Sequence, residues 1–142
     1  MPVRPAIIPA LRYKDAPAAI DFLCKAFGFE RHVVYADDAD PTLIHHAQLT
    51  LTDQMIMLGS ARPTETNAVY GWKTPAEAGG VTMSLYVVID DPDTHHKTAA
   101  VAGAHIIRAP YDNQGYPGRS YETRDPEGYV WSFGSYDPWA AE

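Results

Sequence analysis

The sequence has little of what marks several whole classes of protein. Cys24 is the only cysteine in 142 residues, so no internal disulfide framework exists and the fold must rest on its core. Lys and Arg number 11 against 18 Asp and Glu, a formal charge of −7. Without a basic cluster to grip a phosphate backbone, nucleic acid is excluded as a partner. No run approaches the roughly 18–20 apolar residues of a membrane span. The opening Met1-Pro2-Val3-Arg4-Pro5 has no basic region leading into an apolar one, so no secretory signal is visible. The expectation is a cytoplasmic protein with no membrane partner. G-x-S-x-G, a GxGxxG after a strand, a P-loop, H-x-H and HExxH are all missing, which removes the hydrolase, nucleotide and common zinc signatures.

What remains is a chain with 46% hydrophobic and 20% charged residues, near the globular average and long enough to bury a core. Ala6 to Tyr13 reads as a strand. Asp15 then caps a helix with Pro17 in its first turn. Ile20, Leu23, Cys24 and Phe27 fall at i, i+3, i+4 and i+7, and Gly28 supplies a left-handed stop. Cys24 on that stripe reads as a buried, inert thiol. Three β-like runs follow, Phe29 to Tyr35, Leu43 to Leu51 and Gln54 to Leu58. The acidic turn Asp37-Asp38-Ala39-Asp40 lacks calcium-loop spacing and reads as a solvated turn. Ala61 to Gly80 has no sustained periodicity and reads as a linker.

After it the pattern restarts. Val81 to Ile89 is a strand, Asp90 to Ala102 a weaker helix stopped by Gly103, and strands follow at His105 to Ala109, Arg119 to Arg124 and Tyr129 to Tyr136. Asp15 to Gly28 and Asp90 to Gly103 both span 13 residues, at an offset of 75 that also carries Gly59-Ser60 onto Gly134-Ser135. The expected fold class is α+β: two βαβββ modules, about 1–62 and about 80–142, joined by a linker at 63–79 in one domain over 1–142. Their curved mixed sheet forms a cleft.

This order resembles the glyoxalase/bleomycin resistance protein/dioxygenase (vicinal oxygen chelate) superfamily, in particular its metal-free bleomycin-resistance branch. Arg124-Asp125-Pro126-Glu127-Gly128-Tyr129 is similar to the family's Asp-Pro-Asp-Gly turn before the last strand. Leu11-Arg12-Tyr13-Lys14-Asp15, Ile20-Asp21-Phe22 and Phe27-Gly28-Phe29 resemble its opening strand and helix, and Tyr116-Pro117-Gly118-Arg119 its last loop. In the enzymatic members the resemblance implies a divalent metal held by His or Gln, Glu, His and Glu from four strands. Those positions fall here on Ile8, Met57, Ser84 (or Met83) and Ser132. Such metals take carboxylate oxygens and imidazole nitrogens, so neither a metal nor another cofactor is expected. His45-His46 lies in a strand and points to both faces, and His95-His96 diverges by ~100° on a helix, so neither pair holds one ion.

Strand alternation then separates a nearly all-apolar face from a mixed one. The mixed face carries Ile8, Arg12, His46, Gln48, Met55, Met57, Ser84, Tyr86 and Ser132 as expected ligand-binding residues. Trp131 falls on the apolar face as core. Tyr86 reads as ligand contact or plain packing. His46 reads as an acid/base group or a hydrogen-bonded, non-catalytic histidine. Arg12 either holds an anionic ligand or pairs with a carboxylate such as Glu122. Tyr70, Trp72, Tyr111 and Tyr116 sit in loops as lids or interfaces. The resemblance implies a homodimer that sequesters a small organic ligand, cationic or aromatic, as in antibiotic resistance. The alternatives are an enzyme of the superfamily working without the usual metal, with His46 or Arg12 as its catalytic groups, and a metalloenzyme in a different register.

Overall fold

Local signals explain the elements of the computed structural model, which describes residues 2–140. Strand β1 is short, Ala10–Tyr13. The expected start at Ala6 is cut back because Pro5 and Pro9 have no N–H for a ladder, although the Pro9 carbonyl still accepts from Met57 N at 2.9 Å. Helix α1, Ala16–Phe27, begins where the Asp15 carboxylate accepts from Ala18 N and ends at Gly28, φ +84°. Its stripe buries Ile20, Leu23 and Phe27. Cys24 is half-buried against the same core, and burial pushes its thiol up. Strands β2 (Glu30–Ala36), β3 (Ile44–Leu51) and β4 (Gln54–Ser60) follow.

The segment expected as a linker holds two short helices, α2 (Glu65–Tyr70) and α3 (Pro75–Ala78). Thr64 and Thr74 cap them, Thr74 and Glu77 complete a reciprocal capping box, and Gly71 and Gly79 end them. Each is too short to show a period, so caps were their only trace. The second half continues with β5 (Leu85–Val88), α4 (Pro92–Val101), β6 (His105–Asp112), β7 (Arg119–Arg124) and β8 (Val130–Gly134). The cap of α4 is Asp91, one residue later than the expected Asp90, with its carboxylate accepting from Thr94 N.

The two halves share one topology. The first sheet is ordered β1-β4-β3-β2 and the second β5-β8-β7-β6. In each, the first strand runs parallel to the last and the other neighbours are antiparallel. The fold is therefore α+β, two βαβββ modules with open sheets. The repeat extends to single hydrogen bonds: Ile44 N donates to Ser60 Oγ at 2.9 Å, and Arg119 N to Ser135 Oγ at 3.0 Å. Ala10 pairs with Met57 and Tyr86 with Ser132, which makes Ser84, not Met83, the counterpart of Ile8.

Both sheets turn their apolar face to the helices and share one core. Phe27 of α1 packs on Trp131 and Phe133 of β8 at centroid distances of 5.3 and 4.8 Å, and Phe29 meets Trp131 at 5.7 Å. Trp131 is fully buried, as alternation requires. The β5 edge is closed by a side chain: Gln54 donates to Val88 O at 2.9 Å and accepts from Val88 N at 3.2 Å, imitating a ladder pair. The acidic turn also serves the fold. Asp37 accepts from Ala39 N, Asp40 N and the His45 ring, while Asp40 pairs with Arg62 and Thr42. Those donors pull the Asp40 carboxyl down to about 2.

Asp125, 3% exposed, is the polar counterpart of the shared core. One oxygen accepts from Tyr13 Oη of β1 at 2.6 Å and from Trp131 Nε1 of β8 at 3.1 Å. The other accepts from Glu127 N and Tyr129 N, closing the turn. Burial raises its pKa against the pull of these four donors. Because all four partners donate, the Asp125→Asn amide group would face two of them with N–H. We expect a loss of about 3 kcal/mol, and about 1 kcal/mol for Tyr13→Phe, read as lower urea midpoints with an unchanged m-value.

Candidate functional site

With the apolar faces spent on the shared core, each sheet has a second face that the helices leave uncovered. On the first sheet this face carries Arg12, His46, Gln48 and Met57, while their neighbours Leu11, Tyr13, Ala47, Leu49 and Leu58 are buried. The Arg12 side chain crosses over Gly59, its partner in register, and a Cβ there would overlap the guanidinium. Trp72, from the segment between α2 and α3, covers the other side at 3.7 Å, and Tyr70 stacks on Trp72 at 4.7 Å. Arg12 Nε is shielded from solvent with no acceptor, and burial lowers the guanidinium's pKa. No pairing with Glu122 occurs. His46 meets Gln48 through its ring Nε2 at 3.1 Å and stacks on Tyr35 at 6.3 Å.

The second sheet repeats the device with different chemistry. Tyr86 of β5 crosses over Gly134, where a Cβ would come within 2.6 Å of its Oη. Its hydroxyl donates to Tyr136 O at 2.7 Å, and Tyr116 packs edge-on against the Tyr136 ring at 5.0 Å. Beside them lies a carboxylate that sequence reasoning weighed only as a partner for Arg12. Glu122 accepts from Tyr111 Oη at 2.9 and 3.0 Å and from Ser132 Oγ at 2.9 Å. No ion pair to Glu122 forms among the described residues. Its register neighbour Arg108 lies 3.4 Å over the Tyr111 ring instead. Burial and the Glu122 carboxylate together push the Tyr111 phenol up. Alternation between buried Tyr121 and buried Thr123 was the available signal for Glu122.

Four of the expected residues, Ile8, Met55, Ser84 and Tyr86, line one hollow of about 740 Å³ together with Phe29 and His32. His46, Gln48, Met57 and Ser132 lie outside it on the open faces, and Arg12 lines a smaller pocket of about 400 Å³. His32 was missed because β2 breaks its register between Arg31 and Val33, and a bulge re-aims a side chain without leaving a sequence mark. A larger hollow of about 1030 Å³ lies on the helix side, near the β3–β4 turn and α4. Its one histidine, His95, has both ring nitrogens engaged, at 2.5 Å by Tyr121 Oη and at 2.8 Å by Phe27 O, and burial lowers its pKa. That hollow is bordered by structural groups.

The donor set does not fit the superfamily's metal. The four positions carry an alkyl group, a thioether and two hydroxyls, and Ser132 Oγ is already donating to Glu122. Divalent metals of this kind need carboxylates and imidazoles there. Among the described residues, no three His, Cys, Asp or Glu side chains gather where they could hold an ion.

Comparison with known proteins places this geometry. The chain is 33% identical over 134 residues to an uncharacterised protein of Mycobacterium tuberculosis, covering 93% of this chain and 75% of that one. Among solved structures it is similar to TioX from Micromonospora sp. ML1, at 27% identity, 92% and 98% coverage and a TM-score of 0.69. The fosfomycin resistance protein FosX from Listeria monocytogenes shares the fold, at 13% identity, 96% coverage of both chains and a TM-score of 0.68. Residues 7–133 match the Glyoxalase/Bleomycin resistance protein/Dioxygenase superfamily, and with two βαβββ modules built around one core, the chain belongs to it.

Proposed function

We propose that this protein binds and sequesters a small cationic, aromatic compound without a metal, in the manner of bleomycin-resistance proteins. The observation that carries the reading is Glu122. Its carboxylate is half-buried, is oriented by two hydroxyls and has no cationic partner among the described residues. Tyr86 and Tyr116, 42% and 47% exposed in the same module, offer ring surface to a ligand. Ring faces and a carboxylate together select an organic cation, by quadrupole and by charge. Arg108 over Tyr111 is an internal example of that preference. The net charge of −7 favours the approach of such a ligand.

The remaining expected residues take roles consistent with capture. Met55 and Met57 adapt to varied apolar surfaces, Ile8 and Ser84 line the hollow, and His46 and Gln48 are spent on each other. A second copy of the chain closes the open faces, as the resemblance to paired members implies. Tyr35 and Met83, both exposed, are apolar surface available to such pairing.

Purified protein is expected to hold no stoichiometric Ni, Zn, Fe or Mn by elemental analysis; one tightly held equivalent ends the metal-free reading. Sedimentation equilibrium is expected to give twice the monomer mass. The fluorescent cation p-aminobenzamidine is expected to bind, and Glu122→Gln to weaken it at least about tenfold while leaving the weaker binding of neutral p-aminobenzamide unchanged. The bound compound should be recovered intact by chromatography, whereas product would make the protein an enzyme.

A further inference from the structure

We propose that the pocket beneath α2 is an oxyanion site, where Arg12 takes the carboxylate or phosphate group of a small ligand edge-on. The guanidinium is built into place rather than left to solvent: Gly59 clears one side and Trp72 covers the other at 3.7 Å. Arg31, Arg62 and Arg119 each have a carboxylate partner, yet Arg12 has neither an ion pair nor any side-chain hydrogen bond among the described residues. Its Nε–H is shielded from solvent and has no acceptor, a costly arrangement for a fold to keep. With Trp72 over one face, the guanidinium's edge presents parallel N–H groups that match a carboxylate or phosphate bidentately.

The pocket supplies further donors. Ser60 is 3% exposed and lines it. Its hydroxyl accepts from Ile44 N at 2.9 Å, and no acceptor among the described residues takes its own proton. Thr64 likewise accepts from Asn67 N and keeps its proton. The hollow of about 400 Å³ suits a small acid or the acidic end of a larger molecule. Glu65 sits in its lining but forms no ion pair with Arg12. The site lies on the first sheet, away from the Glu122 cluster, so either can fail without the other.

Arginine Nε–H signals in ¹⁵N–¹H spectra of the full chain provide the test. Benzoate and inorganic phosphate are the probes, and benzamide is the neutral isostere of benzoate. Benzoate is expected to move one Nε–H peak, which is missing in Arg12→Gln, while benzamide moves none. Calorimetric benzoate binding should weaken at least about tenfold in Arg12→Gln. Gly59→Ala, whose methyl would take the guanidinium's place, should lose it as well with Arg12 still present; the backbone there is not left-handed. A response to phosphate alone supports the site and narrows its ligand to phosphoryl groups. Silence toward both anions, an equal response to benzamide, or unchanged benzoate binding in both variants overturns the proposal.

Discussion

The joint between the two halves depends on a carboxylate that water does not reach. Asp125 sits in the turn before β8 and ties Tyr13 of the first sheet to Trp131 of the second, while its other oxygen shapes the turn itself. Around it Tyr129 bonds through its hydroxyl to both Arg12 N and Arg12 O, and Glu127 accepts from Lys14 N and Asp15 N. One six-residue stretch, Arg124 to Tyr129, thus positions the end of β1 and the start of α1. A buried charge with four donors is demanding of geometry, and here that demand sets how β1 approaches β8.

That joint decides which surfaces are free to bind. Because Phe27, Phe29, Trp131 and Phe133 weld the apolar faces together, strand alternation forces Arg12, Met57, Tyr86, Ser132 and Glu122 to the opposite side. A substitution on the outward face leaves the core untouched, so ligand chemistry can change there at small cost to folding. On that face Ser132 orients Glu122, a carboxylate one strand away.

Most of the fold was legible because its signals are periodic or positional. The α1 stripe, the caps at Asp15 and Gly28, and the strand alternation each have a direct physical cause visible in residue order. The 75-residue repeat exposed the duplication, and it reappears in the Ser60 and Ser135 hydrogen bonds. The errors fell where geometry breaks a period. The caps Asp15 and Asp91 lie 76 apart while the paired residues Met57 and Ser132 lie 75 apart, because α4 reaches its glycine one residue sooner. His32 was lost to a bulge and Trp72 to helices of four to six residues. Glu122 was visible by alternation, but its meaning depended on Tyr111, which reaches it across β6 and β7 from beyond register irregularities.

The repeated glycines show how one architecture produced two unlike faces. Gly59 and Gly134 occupy equivalent places in β4 and β8, and each leaves a gap that a neighbouring first-strand side chain fills. The filler is not the same residue twice. Arg12 pairs with Gly59, whereas Tyr86 reaches Gly134 from two positions earlier along its strand. A guanidinium lies on one sheet and a phenol with a carboxylate on the other, so the two faces carry opposite charge. A backbone gap is indifferent to what enters it, so the duplication kept the gap and let the charge diverge.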